Sequence, residues 1–171
     1  MSTETGTPIW HLHPLRVRYQ ETDQMGVVYY ANYLTWFEIG RTEFVRHFGT
    51  TYREIEAKGL LLPVVGAECS YLSPARYDDR VAVCTAIEEC SPVRLAFRFE
   101  VRRIEEDGPL PDVWNGQEPP GDLLVRGGTR HVWVNGDWRP SRLDKGFPEL
   151  YRLLRAAAEG RDGRLEGAAD A

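Results

Sequence analysis

The chain has 171 residues, of which 42% are hydrophobic and 27% are charged, and its formal net charge is -5. This length and balance predict one globular domain with its own core. The negative charge argues against bulk attraction to nucleic acid, and no apolar run reaches the roughly 18 residues of a membrane span. The N-terminus lacks the pattern of a secretory signal. We therefore expect a cytoplasmic protein.

Cysteine and histidine are few and scattered along the chain. The three cysteines are odd in number and form no CxxC pair, which predicts reduced thiols rather than disulfides or a zinc site. His11 and His13 could share a strand face, but two ligands without a third partner make a poor metal site. We expect neither a metal ion nor another cofactor.

The first half of the chain predicts a strand followed by a long helix. Residues 1–8 are small and polar and predict a disordered tail. Alternation over 15–21 predicts a strand, and 22–26 predicts a turn. Helical spacing then predicts a long helix from about residue 30, with Asn32 as N-cap and Gly49 at the end. Its predicted apolar face comprises Leu34, Phe37, Phe44 and Phe48. A second short helix is predicted over 52–58.

The second half predicts strands at 60–72, 80–90, 93–104 and 122–136, then a helix over 148–160. The segment 106–121 is rich in glycine, proline and acidic residues and predicts a mobile loop. Consecutive strands without crossovers predict an antiparallel sheet and an α+β domain. This domain spans 9–158, and 159–171 forms a polar C-terminal tail.

One segment combines the parts that thioester hydrolysis requires. The first predicted strand leads into Asp23, a glycine turn at Gly26 follows, and the helix then begins. Free backbone N–H groups at a helix N-terminus can hold an oxyanion. A nearby carboxylate can attack an acyl carbon or activate water. Local physics alone nevertheless favours an ordinary aspartate that caps a turn.

The same segment resembles the signature of the hotdog-fold acyl-CoA thioesterases, of the 4-hydroxybenzoyl-CoA type and the Tol-Pal-associated type. The resemblance covers roughly residues 13–140. The matching positions are Tyr19, Thr22-Asp23, Gly26-Val27-Val28-Tyr29, Asn32-Tyr33, Phe37-Glu38, Arg41 and Glu43, with residues 73–79 and strand 93–103. The resemblance implies a hotdog fold, in which a curved, five-stranded antiparallel sheet wraps around one long central helix.

The resemblance also implies roles for individual residues. Asp23 is the nucleophile or the general base, and the backbone N–H of Tyr30 polarises the thioester carbonyl. Many Tol-Pal-associated members carry histidine at the position of Tyr30, so this chain lacks that acid/base partner. The phenol of Tyr19 is either a further catalytic group or a core side chain.

Substrate contacts are implied at Gly26, Val27 and Asn32 by the motif, and at Arg94 by its match to a region that binds CoA phosphates. Arg98 and Arg102 share the strand face of Arg94 and could take over its role. The alternative for these arginines is a solvated polar face.

The substrate implied is an acyl-CoA, and the expected assembly is a homodimer or a homotetramer, because one hotdog unit leaves half of the substrate tunnel unmade. The alternative function is a hotdog module that binds acyl groups or partners without catalysis. The acyl group, and the choice between CoA and acyl carrier protein, stay open.

Overall fold

The computed structural model describes residues 7–164. The predictions for tail residues 1–6 and 165–171 lie outside this range. The strands are β1 Ile9–Arg16, β2 Val64–Tyr71, β3 Arg80–Cys90, β4 Arg94–Arg103, β5 Val113–Asn115 and β6 Asp122–Val132. The helices are α1 Asn32–His47, α2 Tyr52–Ala57, α3 Leu143–Gly146 and α4 Pro148–Ala158, and a 3-10 turn spans Tyr19–Glu21.

The strands form one antiparallel sheet in the order β2-β6-β4-β3-β1-β5. The predicted α+β class and antiparallel sheet are confirmed. The described sheet has six strands rather than five, because β5 adds to the outer edge of β1. β5 lies inside the segment predicted to be irregular loop, so that part of the loop prediction is wrong.

Helix α1 packs closely against the inner face of the sheet. Trp36, Phe37 and Phe44 on this helix have no exposed surface. A Cβ atom on Gly40 would lie 2.6 Å from the Thr85 hydroxyl on β3, so glycine is needed for the helix to approach the sheet this closely. Leu34 is 45% exposed, and its predicted place on the apolar face is wrong. The long helix is otherwise the predicted centre of the core.

The first strand lies earlier than predicted. β1 ends at Arg16, and the end of the predicted 15–21 strand forms the 3-10 turn. Residues 9–12 of β1 are buried on both faces. A strand covered on both faces has no need to alternate apolar and polar residues. The alternation rule therefore missed it and selected the half-exposed residues that follow.

The chain between β4 and β6 explains this double burial. It folds over the outer face of the sheet, where Leu110 and Trp114 pack against a second apolar cluster that contains Trp10 and Leu12. Arg80 Nη1 binds the segment through the carbonyls of residues 105, 106 and 108, at 2.6, 3.1 and 2.8 Å. The predicted mobility of 106–121 stays a prediction.

The remaining helices lie close to their predicted positions. α1 begins at Asn32 with Ala31 as its N-cap, so the Asn32 N-cap prediction is wrong by one residue. α2 carries a capping box between Thr51 and Glu54 that the sequence reading did not identify. The short α3 was not predicted. Among the described helices, none is long and apolar enough to span a membrane.

Candidate active site

Asp23 lies in a closed turn between the 3-10 turn and α1. Its backbone N–H donates to the Val27 carbonyl at 2.9 Å, and the Gly26 N–H donates to the Asp23 carbonyl at 2.9 Å. Gly26 has φ 77°, a left-handed conformation that side chains disfavour. Glycine at this position therefore allows the turn to close and fixes the backbone of Asp23.

The Asp23 carboxylate is half-buried and only partly engaged. Its Oδ1 accepts a hydrogen bond from the Met25 N–H at 2.8 Å. Within residues 7–164, no group donates to Oδ2. One oxygen is thus fixed while the other is available to a water molecule or an acyl carbon, as a general base or a nucleophile requires.

The start of α1 leaves a backbone donor free. The Tyr29 N–H donates to the Glu21 carbonyl at 2.8 Å, and the Asn32 N–H donates to the Tyr29 carbonyl at 2.9 Å. Between them, the Tyr30 N–H has no acceptor in the described part of the chain. Such N–H groups carry the positive end of the helix dipole. The Tyr30 N–H is available to stabilise an oxyanion.

Glu21 holds this arrangement together, and the sequence reading missed it. Its buried carboxylate accepts hydrogen bonds from the Arg18 N–H at 2.8 Å and from Trp36 Nε1 at 3.0 Å. Its carbonyl also accepts from Asn32 Nδ2 at 2.8 Å. Burial raises the pKa of Glu21, but the donors from Arg18 and Trp36 outweigh it, so the pKa lies below the usual value. Glu21 therefore stays ionised and fixes the loop to α1.

A cavity of about 270 Å³ lies beside Asp23 and is bordered mainly by aromatic and aliphatic side chains. Its lining comprises Asp23, Met25, Val27, Val28, Tyr30, Tyr33, Tyr71, Leu72, Ser73 and Pro74. The Tyr71 hydroxyl donates to the Tyr30 carbonyl at 3.0 Å and so connects β2 to the start of α1. Burial and the nearby Cys69 raise the pKa of Tyr71 to about 12, which keeps this donor protonated.

The structure brings Asp23, Val27 and Tyr30 to one cavity. Tyr19 does not border it: this side chain is 78% exposed, and its ring packs edge-on against Tyr77 at 5.7 Å. Asn32 directs its side-chain amide to Glu21. Gly26 forms the turn, and its carbonyl accepts a hydrogen bond from Arg76 at 3.5 Å.

Arg94 and Arg98, the main predicted phosphate anchors, lie away from this cavity within the protomer, and Arg102 is buried in an ion pair with Glu100. Arg94 and Arg103 are at opposite ends of β4, roughly 30 Å apart along a strand. Arg103 is at the end near the site, where it donates to the Pro74 carbonyl at 2.8 Å. Arg98 lies on the outer face of the sheet, with its guanidinium 4.9 Å from the centre of the Trp10 ring.

No cysteine or histidine borders the Asp23 cavity among the residues described. Burial raises the pKa of Cys84 to about 12 and that of Cys90 to about 11, which keeps both thiols protonated and unreactive. The described residues also contain no cluster of three or more metal-ligating side chains. The chemistry available at this site is that of a carboxylate beside a backbone N–H.

Comparison with known proteins shows the family to which this chain is similar. The model of the thioesterase-like superfamily matches residues 17–149. A putative acyl-CoA thioesterase of Bacillus subtilis, YneP, is 34% identical over 144 residues, which cover 84% of this chain and 94% of the relative. The chloroplastic acyl-acyl carrier protein thioesterase ATL2 of Arabidopsis thaliana is 33% identical over 81% of this chain and 66% of its own length.

Solved structures share the fold. The DHNA-CoA thioesterase of Staphylococcus aureus superimposes with a TM-score of 0.73 at 28% identity, over 89% of this chain and 95% of that protein. The predicted hotdog fold and the predicted class of enzyme, a thioester hydrolase, are confirmed at the level of the family. By motif, fold and sequence match, the chain belongs to the thioesterase-like superfamily.

Proposed function

We propose that this protein hydrolyses the thioester of an acyl-CoA to the free acid and CoA, with Asp23 as the nucleophile or the general base. One observation carries the proposal: neither Oδ2 of Asp23 nor the N–H of Tyr30 has a partner among the described residues, and both residues border one cavity. Relatives named as acyl-CoA thioesterases support the substrate class.

In the proposed reaction, the thioester carbonyl accepts a hydrogen bond from the Tyr30 N–H. Asp23 either removes a proton from water as the water attacks the carbonyl carbon, or attacks that carbon itself, in which case loss of the thiolate leaves an anhydride that water then opens. Both routes form a tetrahedral oxyanion that the N–H stabilises. The C–S bond then breaks, and the thiolate leaves and takes up a proton. A thiolate is a good leaving group, so the route requires no metal ion.

The test is thiol release from a panel of acyl-CoAs by the wild type and by Asp23→Asn. The amide can still accept from the Met25 N–H but is a poor base and nucleophile. We expect kcat to fall by about 10²–10⁴-fold, the usual contribution of a positioned acid or base, with thermal unfolding unchanged. Asp137→Asn, at an exposed aspartate in the turn after β6, is the matched control and should retain full activity.

Two results would reject the proposal. Activity near that of the wild type in Asp23→Asn would exclude the assigned role of the carboxylate. A wild type that binds acyl-CoAs but releases no thiol from any chain length would favour the alternative, a hotdog module that binds acyl groups without catalysis.

The proposed assembly is a homodimer formed through the free edge of β2. This strand pairs only with β6 among the described strands. Val64, Val65, Tyr71 and the following Leu72 are all at least half exposed. An exposed apolar edge strand is a template for pairing with another chain. Tyr71 and Leu72 also border the Asp23 cavity, so a partner at this edge would complete its wall. A homotetramer would require a second interface.

Dimerisation through β2 gives the predicted role of Arg94 a geometric basis. In the sheet, Arg94 lies level with the Val64 end of β2, and Asp23 lies near the Tyr71 end. Two-fold pairing of β2 edges is antiparallel, so it sets the Val64 end of one protomer beside the Tyr71 end of the other. Arg94 would then approach the partner's site rather than its own.

Light scattering tests the assembly directly. We expect the mass of a dimer for the wild type and of a monomer for Val65→Glu, since a charge on the edge strand opposes pairing. The same variant should lose activity. A wild-type monomer with full activity would contradict this assembly.

The three cysteines are free thiols, which fits the proposed location in the reducing cytoplasm.

A further inference from the structure

A group of exposed side chains lies beside the Asp23 turn. Tyr19 and Tyr77 are 78% and 58% exposed and meet edge to face at 5.7 Å. Arg76 precedes Tyr77 and is also exposed. Aromatic side chains usually bury much of their surface in a core or an interface. We call Tyr19, Arg76 and Tyr77 the rim.

Arg76 is the cation of the rim, and it has no counter-ion among the described residues. In the described structure its guanidinium makes one hydrogen bond, from Nη1 to the Gly26 carbonyl at 3.5 Å, and no ion pair. Oδ2 of the nearby Asp79 binds Arg103 at 3.0 Å and accepts from the Arg76 backbone N–H at 2.9 Å, and the Arg76 guanidinium makes no ion pair with this carboxylate. The positive charge of Arg76 is therefore available to an anion beside the catalytic turn.

Arg16 and Arg18, two other arginines around the rim, are already paired. Arg18 binds Glu21 at 3.2 Å, and the guanidinium of Arg16 lies 3.9 Å from Asp78 and also binds Glu106. Because each of these arginines is paired with a carboxylate, they contribute little net positive charge beside the rim. Arg76 is accordingly the rim cation that is free to bind an anionic thioester.

We propose that the rim binds the nucleotide end of CoA, with Arg76 on a phosphate and the Tyr19–Tyr77 pair against the adenine. Arginine is suited to phosphate because its guanidinium is planar and permanently charged. Exposed aromatic rings stack with bases independently of sequence. The inference rests on the proposed function, since it assigns the carrier that the hydrolase recognises. It also gives Tyr19 a binding role in place of a catalytic one.

The test compares an acyl-CoA with the same acyl group on N-acetylcysteamine, which has no nucleotide. For Arg76→Ala we expect KM for the acyl-CoA to rise about tenfold, the usual effect of losing one charge-assisted hydrogen bond. Kinetics with the N-acetylcysteamine thioester should not change. Arg76→Lys should recover part of the loss. Tyr19→Ala combined with Tyr77→Ala should show the same selectivity with a smaller effect.

The matched control is Arg152→Ala, at an exposed arginine on α4 without an ion pair among the described residues. It should leave both substrates unaffected, whereas an equal rise in the KM for acyl-CoA would show a general charge effect and overturn the proposal. Equal losses on both thioesters in Arg76→Ala would also overturn it, because the residue would then act on the turn. A rise in the KM of Arg76→Ala for an acyl carrier protein thioester, with the KM for the acyl-CoA unchanged, would likewise overturn the proposal.

A direct binding measurement separates this proposal from the proposed function. Adenosine 3′,5′-bisphosphate should bind the wild type, and binding should weaken about tenfold in Arg76→Ala. Asp23→Asn should bind it as the wild type does. If the wild type hydrolyses no thioester, this titration still tests whether the rim binds the nucleotide. Weaker binding to Arg76→Ala supports the proposal, and equal binding to both proteins overturns it.

Discussion

The two ends of α1 lie in opposite environments. At the N-terminal end, Tyr30 is 60% exposed and its backbone N–H has no acceptor within the described residues. At the C-terminal end, Phe44 and Phe48 are fully buried, and His11 packs against Phe44 and His47 with ring centroids 6.4 and 5.0 Å apart. One end is open to a ligand, and the other is closed to water.

The same difference affects the pKa values of the ionisable groups at the two ends. At the closed end, burial, with the neighbouring His47 and His13, lowers the pKa of His11 to about 3, so the ring stays neutral. At the open end, donors from Arg18 and Trp36 overcome burial and keep Glu21 ionised. The helix is thus anchored by neutral packing at one end and by a hydrogen-bonded carboxylate at the other. The proposed catalytic groups lie at the anchored but open end.

The largest expected contrast comes from truncating one aromatic ring at each end. Phe44→Ala removes a fully buried ring, and we expect the free energy of unfolding to fall by about 3–5 kcal/mol. Tyr30→Ala, the matched change at the open end, should cost under about 1 kcal/mol and keep the backbone N–H. Urea denaturation of both variants is the measurement. Equal losses would mean that the two ends are equally packed.

Acid should destabilise the closed end first. The folded pKa of His11 lies below its ordinary value of 6.5, so its contribution is complete above pH 6.5 and is lost as pH falls toward about 3. The slope is about 1.4 kcal/mol per pH unit for each proton taken up. His131, whose pKa is lowered to about 4 by burial, adds to it. Denaturation from pH 7 to 4 should show a shallower slope for His11→Leu, and parallel slopes would refute this.

Glu21→Gln tests the anchor of the open end. The amide keeps the shape but loses the charge that strengthens the bonds from Arg18 and Trp36. We expect a stability loss of about 1–3 kcal/mol together with a lower kcat. Stability from Glu21 is lost as pH falls through its lowered pKa, so the variant should differ least from the wild type in acid. Glu54→Gln, in the α2 capping box, is the control and should leave kcat unchanged.

The smallest effect concerns the turn itself. Gly26→Ala places a Cβ in open space but at φ 77°, which costs about 1–2 kcal/mol of backbone strain. Gly136→Ala also meets open space, without a left-handed φ, and should be neutral. Thermal melts of the two variants measure the difference. Matching melting temperatures would show that the turn tolerates a side chain.

Much of the fold could be predicted because it depends on local pattern. Strict alternation identified β4, and helical spacing identified α1. β5 and the true position of β1 were missed for one reason. Both depend on the chain at 104–121 folding over the outer face and burying Trp10 and Leu12 on a second side. The pattern of residues within a short stretch of sequence does not show that a distant segment will cover that stretch.

The sequence by itself determined the order of the proposed catalytic parts, since a carboxylate, a glycine turn and a helix start are adjacent in the chain. Only the tertiary structure decided what surrounds them. It set Glu21 beneath the loop, brought Tyr71 from β2 to the Tyr30 carbonyl, and left Tyr19 and Arg76 on the surface. The physical reason is that hydrogen bonds and burial involve residues that are distant in the chain, whereas sequence patterns reflect only residues that are close together in it.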